Sequence, residues 1–266
     1  MTHTLMVSHN GPVTTLVINR PEVRNALDRE TTRALAQALM AFEADGNARV
    51  AVLTGAGQAF CAGADLKELA GGVPYEPWAG SESGPLHRVL DKPVIAAVSG
   101  MACAGGLGVA LWCDLRIADE TAKFAVLSRR WGVPMSDGTT VRLPRIVGMG
   151  RALDMMLTAR AVDAQEALQM GLVTRVVPAG QAVAAAQALA HGMAAFPQVA
   201  MRSDRRSTYA QWDLPEADAI TRENALSLEA RRLEATEGAR RFAQGAGRHG
   251  AVGNAGDAGD AGAGAC

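Results

Sequence analysis

Over its first two thirds the chain alternates short apolar runs with polar turns and amphipathic stretches. TTLVINR (14–20), VAVLTG (50–55), KPVIAAVSG (92–100) and LRIA (115–118) are short, apolar and rich in β-branched residues. Runs of this kind predict strands buried on both faces, as in parallel sheets. Between the first two, Asp28 is placed to cap a helix whose Leu35, Leu39 and Phe42 recur at i, i+4 and i+7 on one face. Strand and helix interleave, which predicts an α/β fold. From about Met149 the pattern turns helical, through RALDMMLTA, AQEALQM and AVAAAQALAHGMAAF to a charged stretch from Glu216 to Phe242. Pro215 stands where a helix starts, at the turn that has no use for its missing N–H. The expected organisation is a core over 1–195, a helical region over 196–244 and a Gly/Ala-rich tail over 245–266. The tail has too few large apolar side chains to offset the entropy of ordering it.

Composition agrees with a globular chain: 266 residues, 48% hydrophobic and 20% charged, are enough to bury a sizeable core. A formal net charge of −1 provides no basic field for nucleic acid or for an anionic membrane surface. MTHTLMVSHN lacks the basic start and apolar stretch of a secretory signal, and no segment reaches the ~20 apolar residues that span a bilayer. A cytoplasmic location is expected. Cys61, Cys103, Cys113 and Cys266 form no CxxC pair and have no His at ligand spacing, so reduced thiols and no metal site are expected. The five histidines are scattered, with nothing tying one to a nucleophile.

Two segments concentrate small residues. GAGQAFCAGADLKEL (55–69) follows a strand and leads into a short helix, and AVSGMACAGGLGVALWCD (97–114) runs from a strand through a Gly-rich turn into a helix. Small side chains let a ligand approach the backbone, and the first amides of a helix have no internal partner, which suits an anion or a developing oxyanion. Taken singly, either turn is equally well explained by tight packing.

Taken together and in order, the segments resemble the crotonase, or enoyl-CoA hydratase/isomerase, superfamily. The matching pieces are NRPEVRNALD (19–28), FCAGADLKEL (60–69), KPVIAAVSGMACAGGLGVALWCDLRIA (92–118), GVPMSDGTTVRLPRIVG (132–148) and AVDAQEALQMGLVTRVVP (161–178). The resemblance implies a spiral of ββα turns with a helical C-terminal region, assembled as a homotrimer or homohexamer. It implies an acyl-CoA substrate, with coenzyme A entering as part of that substrate and no permanently bound cofactor. By position it assigns the two oxyanion-binding N–H groups to Ala64 and Gly105, and coenzyme A contacts to Arg24, Ala26, Ala62, Asp65 and Leu66. Such donors bind a charged transition state better than the ground state, each typically contributing about 2.7–4 kcal/mol.

The pattern breaks at the two glutamates that hydratases of this family use as acid and base. Gly108 and Ser128 stand at those positions. Glycine transfers no proton, and a serine hydroxyl without a base is a poor substitute. Asp137 in MSDG is the strongest replacement, since the matching loop faces the acyl pocket; the competing reading is a turn-forming or salt-bridging aspartate. A relative that removes chloride from an aryl thioester carries its aspartate one residue earlier, at the position of Ser136. Ser128 and Ser136 are candidates to orient water or substrate. Arg129, Arg130 and Trp131 are expected to pack in the core or a subunit contact and to pair with acidic neighbours, the alternative being a wall for a large acyl group. Asp65 is expected to cap a helix or join an ion pair.

Two rival functions remain. An NAD-dependent oxidoreductase would use Gly100–Gly105 as a GxAxxG turn, with Asp119 and Glu120 near the ribose-binding distance, but leaves FCAGADL and GVPMSDG unexplained. A non-catalytic acyl-CoA-binding protein would keep the fold and lack the chemistry. Hydration, isomerisation, hydrolysis and decarboxylation all share a stabilised oxygen, so the motifs leave the reaction open.

Overall fold

A computed structural model describes residues 4–74, 76–80 and 84–245. Nearly all of the expected tail, 246–266, lies outside the described residues, as does Cys266. The chain divides into two compact units, Met1–Ala194 and Ala195–Cys266.

The first unit carries two sheets. The hairpin β1 (Leu5–Asn10) and β2 (Val13–Ile18) is followed by α1 (Arg29–Ala44) and then by three strand pairs: β3 (Val50–Gly55) with β4 (Ala59–Cys61), β5 (Val94–Val98) with β6 (Met101–Cys103), and β7 (Leu115–Asp119) with β8 (Lys123–Ala125). Short helices α2 (Leu66–Ala70) and α3 (Gly105–Trp112) follow the first two pairs. Beyond them come α4 (Thr139–Val147), α5 (Met149–Thr158), β9 (Ala161–Asp163), α6 (Ala164–Gln169), β10 (Arg175–Val177) and α7 (Ala182–Ala195). The first member of each pair joins the six-stranded sheet β1-β2-β3-β5-β7-β10, and the second joins the four-stranded sheet β4-β6-β8-β9. The chain therefore climbs as a spiral of ββα turns, parallel except at β1·β2 and β8·β9.

Why these runs become strands is visible in which way each residue faces. Along β3, Ala51 and Leu53 join one apolar cluster while Val50 and Val52 join the other, and β5 splits in the same way between Ala96 and Ile95. That is the two-residue period of a strand covered on both sides. The outer cover is α7, whose Ala182, Ala186, Ala190 and Ala194 recur every fourth residue and pack on Val50, Val52, Ile95 and Ile117. The inner cluster holds Leu16, Leu53, Phe60 and Phe124 together with Leu35, Leu39 and Phe42 of α1. Asp28 caps α1 by accepting the Thr31 N–H at 2.8 Å.

The second unit is helical, with α8 (Gln198–Ala210), α9 (Glu216–Ala230) and α10 (Thr236–Ala243), α9 running into α10 through a π-helical turn. Pro215 immediately precedes α9 as expected.

Candidate active site

The first of two strand-to-helix turns leaves β4 at Cys61. The Ala62 N–H donates to the Arg24 carbonyl (3.0 Å), the Leu27 N–H to the Gly63 carbonyl (2.8 Å) and the Asp65 N–H to the Leu27 carbonyl (3.0 Å). In a ladder of this kind consecutive residues turn their amides to opposite sides, so the Ala64 N–H is directed away from Leu27. Among the described residues no backbone acceptor takes it.

The second turn leaves β6 at Cys103. Ala104 adopts φ 48°, ψ −123°, with its N–H donated to the Ala125 carbonyl (2.9 Å) and its own carbonyl accepting from Gly108 N–H (3.2 Å). A non-glycine residue in that region stores about 1–3 kcal/mol of strain, which persists only where surrounding bonds fix it. Gly105 then opens α3, and its amide, like other first-turn amides, has no backbone acceptor among the described residues. The two turns touch. A side chain on Gly63 would stand 2.9 Å from the Gly105 nitrogen.

Every residue of α3 is buried, and three of its glycines each leave room for a different neighbour. A Cβ on Gly105 would lie 2.3 Å from Cζ3 of the Trp78 indole, one on Gly106 2.0 Å from the Cys61 carbonyl oxygen, and one on Gly108 2.3 Å from Cγ of Asp137. The Asp137 carboxyl group thus occupies the volume in which a side chain at position 108 would begin. Asp137 is only 2% exposed. Its Oδ1 accepts the Thr139 N–H at 2.9 Å, and its backbone carbonyl accepts from Arg142 at 2.9 Å. Burial pushes its pKa above the usual aspartate value, while the Thr139 hydrogen bonds and the Arg142 charge oppose that shift without cancelling it.

A cleft of about 300 Å³ collects most of the residues singled out in the sequence: Arg24, Ala62, Ala64, Leu66, Gly105, Ser128, Ser136 and Asp137 all line it. Ala26 and Asp65 do not. Ala26 is buried, with its carbonyl accepting from Arg20 at 2.6 Å. Asp65 caps α2 through the Lys67 N–H (3.1 Å) and pairs with Arg20 (3.1 Å), which also reaches Asp28 (2.9 Å). The Ser128 hydroxyl meets Met135 Sδ at 3.3 Å.

Two expectations need correction. Trp131 is 71% exposed in the single chain and lines the cleft, which rules out packing in the core and leaves the expected subunit contact untouched. Arg129 and Arg130 donate to the Val133 and Ala159 carbonyls, at 3.1 and 3.3 Å, where acidic partners were expected. The dinucleotide-binding geometry is also absent from Gly100–Gly105, since Met101–Cys103 is a strand, and the Asp119 carboxylate is committed to Ser99, Thr121 and Gly180.

Three contributors had no sequence signal strong enough to single them out. Asn25, fully buried at φ 56°, donates to the Ala56 (2.8 Å) and Ala59 (2.6 Å) carbonyls and accepts from the Arg20 N–H (2.9 Å), tying the Arg24 loop to the first turn. Arg20 extends that tie through its ion pairs. Trp78 lies against Gly105. Cys103 also lines the cleft, but burial pushes its thiol up to about 12, so it stays neutral and is no nucleophile.

Residues 8–245 match the family model described as enoyl-CoA hydratase/isomerase. The chain is 36% identical over 247 residues to the enoyl-CoA hydratase EchA19 of Mycobacterium tuberculosis, covering 90% of this chain and 93% of that protein. It is 35% identical over 211 residues to the short-chain-enoyl-CoA hydratase of Clostridium acetobutylicum, covering 76% and 80%. The crystal structure of enoyl-CoA hydratase EchA1 from Mycobacterium marinum superposes with a TM-score of 0.85 at 32% identity, over 91% of this chain and 96% of that one.

Proposed function

The chain belongs to the enoyl-CoA hydratase/isomerase family, and on that premise we propose that it is an enzyme that moves a proton on an enoyl-CoA thioester, with Asp137 as the single acid/base group. The observation that carries this reading is the Asp137 carboxyl group filling the space above Gly108, in the cleft that the unpartnered Ala64 and Gly105 amides also line. The two amides hold the thioester oxygen. Arg24, Ala62 and Leu66 at the cleft receive the coenzyme A portion, and the Ala26 and Asp65 backbone supports the loops that carry them.

One carboxyl group favours a reaction in which the same atom pair removes and returns the proton. The Asp137 carboxylate takes a proton from the α carbon of a 3-enoyl thioester. The C–H electron pair moves into a dienolate whose oxygen is bound by the two amides, and the Asp137 carboxyl then delivers the proton to the γ carbon. The net change is a double bond moved into conjugation. Burial raises the basicity of the carboxylate toward the working pH, where a general base is most effective. Hydration would need a second group to hold water, and Ser128, at the position of the other glutamate, faces a methionine sulfur. A homotrimer or homohexamer is the assembly proposed, and the exposed Met149, Leu153 and Leu157 on α5 are apolar surface available to such a contact.

Incubating the enzyme with a 3-enoyl-CoA in D₂O and reading products by mass spectrometry tests the proposal. The expected product is the 2-enoyl isomer with little or no deuterium, since one buried carboxyl group passes the substrate's own proton from the α to the γ carbon, and Asp137→Asn lowers kcat by about 10²–10⁴-fold with Kd unchanged. A 3-hydroxyacyl product would identify a hydratase instead, and parental turnover by the Asn variant would remove Asp137 from the chemistry.

A further inference from the structure

Between α2 and β5 the described residues from 71 to 93 contain no helix or strand, yet one of them is fixed in the centre of the site. Trp78 is 4% exposed. Its carbonyl accepts the Leu86 N–H at 2.8 Å and is approached so closely by Gly84 that a Cβ there would lie 2.4 Å from the oxygen. Its six-membered ring covers the α carbon of Gly105, one of the two amide-bearing residues.

A second, smaller cavity of about 60 Å³ also borders this side chain, lined by the apolar Leu27, Leu69, Val73 and Pro74 and by the charged Asp28, Arg29, Asp65, Glu68 and Glu76. It shares three lining residues with the 300 Å³ cleft: Ala64, Trp78 and Val133. Of the three, only Trp78 is large enough to divide one space into two.

We propose that Trp78 is the end wall of the acyl pocket and limits the enzyme to short acyl thioesters. The inference deepens the acyl-CoA reading above and rests on it. A carbonyl oxygen held by the Ala64 and Gly105 amides places its acyl chain beside the Gly105 α carbon, where the indole stands. A chain that extends beyond the ring must enter the smaller cavity, where Leu27, Leu69, Val73 and Pro74 offer contacts to methylenes. With the ring in place that route is closed. Each methylene accepted or rejected by an apolar pocket changes affinity by roughly ten-fold, so one aromatic ring suffices to set a sharp limit.

Calorimetric titration with saturated CoA thioesters from acetyl to lauroyl, on the parent, Trp78→Ala and Trp78→Phe, decides the matter. The parent is expected to bind butyryl-CoA and to lose affinity as the chain lengthens past hexanoyl. Trp78→Ala is expected to shift the preference for decanoyl over butyryl by at least about ten-fold, with Trp78→Phe shifted in the same direction by less. Thermal melting identifies a variant that does not fold, and Trp78→Phe alone then carries the test. Chain-length profiles that coincide with the parent's in the folded variants overturn the partition and leave the acyl-CoA reading standing. A parent that binds no thioester of any length overturns both.

Discussion

The two turns that supply the candidate amides are built by opposite means. At the first, α2 is a five-residue helix with no buried residue, held by charge and hydrogen bonding: Asp65 caps it and pairs with Arg20, which in turn bonds Asp28 and the Ala26 carbonyl. At the second, α3 is buried throughout, lacks a side-chain cap and begins from a strained alanine. There the position of the amide is set by close contact, with Gly105, Gly106 and Gly108 pressed against Trp78, Cys61 and Asp137. The first turn is held by partly buried side chains that can adjust their bonds. The second cannot adjust, because a close-packed interior has no slack for even one methyl group.

This contrast breaks most severely at Gly106. A methyl group there meets the Cys61 carbonyl, which is backbone and cannot rotate away, so Gly106→Ala is expected to cost about 3 kcal/mol, read as a lower urea midpoint. Gly192→Ala in α7 is the control, since nothing lies within 4 Å of its Cβ; it is expected to add about 0.5–1 kcal/mol. Gly108→Ala comes next, because its methyl group must displace a side chain. It is expected to cost about 1–3 kcal/mol and to lower kcat by about 10²-fold or more, approaching Asp137→Asn. At the first turn, Asp65→Ala removes a cap and an ion pair that are not fully buried, and a loss of about 1 kcal/mol is expected in the same denaturation assay.

The smallest effect sharpens the contrast electrostatically. Asp137 binds its proton more tightly folded than unfolded, so the folded state holds more protons as the carboxyl titrates and stability falls as pH rises through that window. The window begins at the ordinary aspartate pKa and ends at the raised one. Asp137→Asn is expected to flatten this slope and to be the more stable protein above it, measured as Tm against pH. A slope unchanged by the substitution would show that the carboxyl is not buried as described.

Legibility in the sequence follows the same division. VAVLTG was readable as β3 from end to end, and Asp28 as the α1 cap, because a strand period and a cap are local signals. The strands of the second sheet, β4, β6, β8 and β9, have three residues each, too few for a period of two to register. Seven of the nine residues expected beside Asp137 in the site do line one cleft with it, since they sit within ordered motifs. Asp137 is named by its motif, but its burial against Gly108 is not readable, because MSDG has the composition of an exposed turn and only the tertiary fold buries the carboxyl group. Trp78 and Asn25 stand alone in irregular stretches, where no pattern marks a single residue. Trp131 departs from the core position expected of it for the converse reason: tryptophan is usually well buried, and here it borders an opening, as its alternative reading as a wall has it.

The main-chain origin of the two candidate donors has a consequence for how this scaffold can change. Because the amides belong to the polypeptide itself, exchanging one side chain for another at 64 does not delete a donor, whereas proline does. A carboxyl group, in contrast, can be supplied from a helix or from a facing loop, provided the position opposite gives up its side chain. On the proposed reading the scaffold would separate a permanent oxyanion clamp from an interchangeable proton carrier, with Gly108 and Asp137 as one setting of that exchange.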